Sequence, residues 1–101
     1  MITDVEIDAF RVALEALLQD HHTRFQNHGA PPRIEIEKGK KYARIAHCQG
    51  GERSAYGFIG LSDGLLYKAD GWKKPAKHAR GDLRGENPLA GCGAYGMAYL
   101  R

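Results

Sequence analysis

The sequence predicts an α+β fold: an N-terminal amphipathic helix packed on a four-stranded antiparallel β-meander, then a short basic helix and a Gly-rich C-terminal segment. Three observations predict it. Apolar residues first recur at three- and four-residue steps, then alternate at two-residue steps. The alternating stretches are separated only by short turn signals, which suits a meander. At 101 residues the chain forms a single domain, residues 1–101, with a modest core.

The helix opens on a capping box, Thr3 with Glu6 three residues on. Asp4, Glu6 and Asp8 suit the positive end of the helix dipole. Ile7, Phe10, Leu14, Leu17 and Leu18 make one apolar stripe that fades over residues 20–24. Asn27, His28 and Gly29, then Pro31 and Pro32, force a loop. The first strand is 33–37 (RIEIE), with Ile34 and Ile36 on one face. The second is 41–48 (KYARIAHC), with Ala43 and Ile45 on one face and Tyr42 and Arg44 on the other. The third is 54–61 (SAYGFIGL), with Ile59 and Leu61 opposite Tyr56 and Phe58. Asp63–Gly64 then signals a tight hairpin into the fourth strand, 65–69 (LLYKA). Pro75 and Gly81 bracket a short helix over 75–80. The Gly-rich remainder is expected to dock on the sheet through Leu89, Tyr95, Met97, Tyr99 and Leu100.

Composition narrows the function classes. The 43% hydrophobic and 27% charged fractions fit a globular chain. No apolar run approaches the roughly 20 residues of a membrane span, so no membrane partner is expected. The acidic start, MITDVEID, has no basic n-region and does not read as a signal peptide. Cys48 and Cys92 then read as free thiols in a reducing cytosol. The net charge of +3 is uneven: residues 1–37 sum to −4 and residues 38–101 to +7. The basic part is suited to phosphates. The same asymmetry also suits self-association into a homo-oligomer.

Two features point to a binding surface. The segment GWKKPAKHARGD, residues 71–82, places Lys73, Lys74, Lys77, His78 and Arg80 beside Trp72, the single tryptophan. Lys and Arg neutralise phosphates, and an indole offers a stacking plane. The competing reading is a solvated basic surface with Trp72 in the core. The sheet face opposite the helix gathers Tyr42, Arg44, Tyr56, Phe58 and Tyr67. Such a face suits single-stranded RNA or other base-stacking ligands, although no RRM motif is present. The competing reading puts this face beneath the C-terminal segment, as core.

Catalytic and metal signals are weaker. Among His21, His22, His28, His47, Cys48, His78 and Cys92, nothing has CxxC or HxxxH spacing. Cys92 lies between two glycines and could take His47 or His78 as a base, but a tight turn needs the same residues. GCGAYG imitates a dinucleotide fingerprint without the strand and helix that make one. No cofactor and no catalytic set is expected.

The Phe58–Ile59 strand, Tyr67–Lys68, the stretch WKKPAKHARG and the Tyr-containing end GMAYLR together resemble a family of small tailed-bacteriophage proteins carrying a W-K-x-P-A-K-H-A-R-G motif. The resemblance covers roughly residues 40–101. It implies a phage protein at work in the host bacterial cytoplasm, and no activity. The expected function is non-enzymatic binding of nucleic acid or a nucleotide. Lys73, Lys74, Lys77 and Arg80 would meet phosphate, with Arg44 or Arg84 assisting; His78 would donate a hydrogen bond, and Trp72 or Tyr56 would stack on a base. The alternative is an inhibitor of a host defence or host enzyme, acting by protein–protein contact.

Overall fold

A computed structural model of the chain describes residues 2–26, 29–85, 89, 92–93 and 96–97; the side chains of Gln26, His78, Arg80 and Met97 fall outside the description. Helix α1 (Asp4–His21) begins on the expected box. The Thr3 hydroxyl accepts from the Glu6 amide at 3.2 Å, and the Glu6 carboxylate accepts from the Thr3 amide at 3.1 Å. One π-helical turn, His22–Gln26, follows.

The sheet has five strands in sequential antiparallel order: β1 (Arg33–Lys38), β2 (Tyr42–Gln49), β3 (Glu52–Gly60), β4 (Leu65–Ala69) and β5 (Pro75–Asp82). Two-residue strands β6 (Cys92–Gly93) and β7 (Gly96–Met97) pair separately. The expectation of four strands and a basic helix is therefore corrected: residues 75–80 are extended and pair with β4. A six-residue helix adds few bonds after a costly nucleus, whereas β4 offers a row of unpaired backbone groups. Pro75 is compatible with the first position of an edge strand, where no donor is needed.

Ile7, Phe10, Leu14 and Leu18 of α1 pack with Ile34, Ile45, Ile59 and Leu66 into one core. Helix side chains also cover the β1 edge. Glu15 accepts from the Ile34 amide at 2.9 Å, and Gln19 donates to the Pro32 carbonyl at 3.1 Å. Edge groups satisfied this way are poor templates for another strand. The β3–β4 hairpin closes as expected, with Gly64 at φ +72° and Asp63 Oδ1 accepting from the Leu65 amide at 2.9 Å.

The second correction concerns Tyr56. Ile45 pairs with Gly57 but Ala46 pairs with Ala55, so β3 carries one extra residue, Tyr56. A bulge breaks strict alternation. Tyr56 consequently joins the core on the helix side, 5% exposed, and is not on the opposite face. Leu89 and Cys92 pack against that same core. The described part of the C-terminal segment thus docks on the helix side; Tyr95, Tyr99 and Leu100 lie outside the described residues.

Arg84 is the third correction. Its guanidinium is tied to the start of the helix: Nε reaches Glu6 Oε2 at 2.6 Å and an Nη reaches Oε1 at 2.9 Å. This two-pronged contact is the main reason the Glu6 carboxyl falls from 4.5 to about 2. The folded value lies below the unfolded one, so the contribution is full above pH 4.5 and is lost as pH falls from there toward 2. Thermal unfolding followed across that window should show Glu6→Gln losing less stability on acidification than the parent. Equal acid slopes would remove the pair from the account. His47, lowered from 6.5 by burial, acts in a separate window, removing stability as pH falls below 6.5.

Candidate functional site

The face of the sheet away from α1 carries a row set by register: Glu37 on β1, Arg44 on β2, Phe58 on β3, Tyr67 on β4 and Ala79 on β5. Tyr42 lies beside this row and meets Phe58 and Tyr67 edge-on, at centroid distances of 6.3 and 5.6 Å. Phe58 is buried even so, while Tyr42 and Tyr67 are half-buried. The Tyr67 hydroxyl donates to Asp63 at 3.3 Å, and burial together with that carboxylate pushes its pKa up.

Trp72 reaches this face from the β4–β5 loop. Gly71 adopts φ +136°, a conformation that side chains resist, and the Asp70 amide donates to the Lys74 carbonyl at 2.8 Å. The loop is then anchored on β2, where Arg44 Nε donates to the Trp72 carbonyl at 2.8 Å. The Arg44 guanidinium lies 4.2 Å from the indole centroid and that of Arg53 lies 5.4 Å away, both within cation–π range. One oxygen of Glu37 accepts from both guanidiniums, at 3.1 and 3.0 Å, and Glu35 pairs with Arg53 at 3.1 Å. Trp72 is therefore neither core nor free surface: it is 37% exposed and held by two arginines.

Beside it lies a groove of about 350 Å³, whose lining includes Lys40, Lys41, Tyr42, Arg44, Phe58 and Lys73, together with Glu37, whose carboxylate is paired with Arg44 and Arg53. Lys40, Lys41, Lys73 and Lys77 have no carboxylate partner among the described residues, whereas Lys38 pairs with Asp4 and Lys74 with Asp70. Lys74 is paired only at 3.9 Å and is exposed, so that contact contributes little. The structure thus brings Arg44, Trp72 and Lys73 together. Lys77 is exposed on β5, the backbones of His78 and Arg80 are in β5 with side chains outside the described residues, and Tyr56 and Arg84 are elsewhere. Lys40, Lys41 and Arg53 were missed by sequence reasoning. Lys38–Gly39–Lys40 reads as a turn and Lys41 as the start of the second strand, although the charge density of the run KGKK at 38–41 is the available signal.

Burial pushes the Cys92 thiol up, against a smaller opposing effect of a hydrogen bond with Tyr56. An activated nucleophile needs the reverse. Cys92 should alkylate more slowly in the native protein than in the urea-unfolded chain. Equal rates by mass spectrometry would contradict this placement. Among the described residues no three His, Cys, Asp or Glu side chains gather as a metal set, and no helix is long and apolar enough to cross a membrane.

Fold and surface define a class: a small α+β domain with a helix on one face of an antiparallel sheet and a basic, aromatic groove on the other. The chain belongs to a family of unknown function, DUF7717, whose model matches residues 3–95. No curated protein and no solved structure matches it.

Proposed function

We propose that this protein binds phosphate-bearing ligands, nucleic acid or a nucleotide, on the sheet face opposite α1, without catalysing a reaction. The observation that carries this reading is the groove beside Trp72, where Lys40, Lys41 and Lys73 have no carboxylate partner among the described residues and Tyr42 supplies an aromatic wall. Uncompensated lysines attract phosphate, and aromatic rings accept bases. Lys77 extends the basic surface along β5.

Trp72 fluorescence tests the reading, because its ring lies beside the groove. Titration with oligonucleotides and nucleotides should give saturable quenching that weakens in Lys73→Ala. Absence of any response, together with no binding by an independent assay, would reject it.

The second reading is a phage inhibitor of a host defence or host enzyme, acting by protein–protein contact. One observation favours it: the outward side of α1 exposes Val5 at 80% and Val12 at 51%, in line with exposed Ala9 and Ala16. A surface helix normally turns polar residues outward. Under this reading a host protein is retained after nuclease treatment and lost with Val12→Glu, while Lys73→Ala has no effect.

A further inference from the structure

We infer that the face opposite α1 takes single-stranded nucleic acid, held by its phosphates along a track formed by Lys73, Lys40 and Lys41. The inference rests on the phosphate-binding reading above and narrows it to one ligand class.

The first reason is the shape of the surface. A second hollow, about 370 Å³, adjoins the groove and reaches Gly60, Ser62 and Asp63. The two share Lys40, Lys41 and Tyr42 as a common wall. Each lies near the lower end of the roughly 300–1,000 Å³ range of small-ligand pockets. A free nucleotide binds tightly when most of its surface is enclosed. Two neighbouring compartments, both open to solvent, instead suit a chain that enters one and leaves by the other.

The second reason is the kind of cation. Among the described residues the arginines on this face are already engaged: Arg44 and Arg53 hold Trp72 and pair with Glu37. Of the described side chains lining the two hollows, lysines are the cations left for a ligand. Lysine is a point charge on a flexible stem, suited to following a backbone and poorly suited to fixed two-pronged recognition. The expected readout is of phosphate, with little base preference.

The third reason is the aromatic supply. The Trp72 ring lies against the Arg44 guanidinium, so stacking falls to Tyr42, half-buried at the junction of the two hollows. A stacking surface needs an unpaired base. A duplex keeps its bases stacked, and among the described residues no helix lies on this face to enter a major groove.

The test is fluorescence anisotropy with a labelled single-stranded oligothymidylate, a duplex of equal length, and thymidine monophosphate as competitor. Three phosphate contacts predict a log–log salt slope of about −2, roughly a twentyfold weakening between about 50 and about 200 mM salt. Lys40→Ala/Lys41→Ala should reduce the slope to about −0.7, leaving one contact. Both lysines are exposed, and circular dichroism checks that the variant stays folded. The duplex should bind more weakly, and the monophosphate should compete poorly. Binding of the duplex or the monophosphate as tight as the single strand would overturn the inference while leaving the phosphate reading intact. Single-strand binding indifferent to Lys40 and Lys41 would overturn the track. No binding by any of the three probes would overturn both readings.

Discussion

Arg44→Ala should release the β4–β5 loop from the sheet and shift Trp72 emission to the red. Three contacts go at once: the hydrogen bond to the Trp72 carbonyl, the guanidinium against the indole, and the pair with Glu37. A hydrogen bond from a charged donor is worth about 1.5–3 kcal/mol net and a cation–π contact about 0.5–1 kcal/mol at exposed sites. The Arg44 side chain is 22% exposed, so some of this is recovered by water. A loss of about 2 kcal/mol is expected, or about 10 °C in Tm for a domain of this size. Arg44→Lys should recover little, because an ammonium cannot both donate in that direction and lie flat on the ring. Glu37 stays paired with Arg53, so no buried charge is orphaned and the domain should remain folded. Unchanged emission and Tm would mean that Trp72 is positioned by something other than Arg44.

Leu14→Ala should be the most damaging single truncation in the helix. Leu14 is fully buried, and its side chain meets the core from the middle of α1. Removing a buried leucine costs about 3 kcal/mol or more, because the surroundings collapse only partly into the cavity. Total stability for a chain of this length is of order 5–15 kcal/mol, so a fifth or more is lost. The internal control is Val12→Ala on the same helix, which is half exposed and should change stability by about 0.5 kcal/mol or less. Urea unfolding reads both, with the slope expected to stay constant. Equal midpoints for the two variants would refute the packing of α1 described above.

Much of the architecture was legible because it depends on neighbours in sequence. The Thr3–Glu6 box, the apolar stripe of α1, the Ile34/Ile36 alternation and the Asp63–Gly64 turn each involve residues within a few positions of one another. Their geometry follows from local backbone preferences and periodicity, which a sequence displays directly. The candidate site was legible in part. Trp72 and Lys73 stood out by composition, and Arg44 by strand alternation.

What the sequence by itself determined was the helix, the first four strands, the order of the meander and the presence of a basic segment around Trp72. Tertiary structure decided the rest, because each remaining feature joins residues far apart in the chain. Residues 75–82 became a strand since an open β4 edge outweighs the weak helix propensity of a short segment. A single bulge turned Tyr56 into the core. Arg84 found Glu6 across 78 positions and Trp72 met Arg44 across 28. Local patterns do not encode such meetings; they arise when the packed sheet brings its edges, loops and helix end within hydrogen-bond reach.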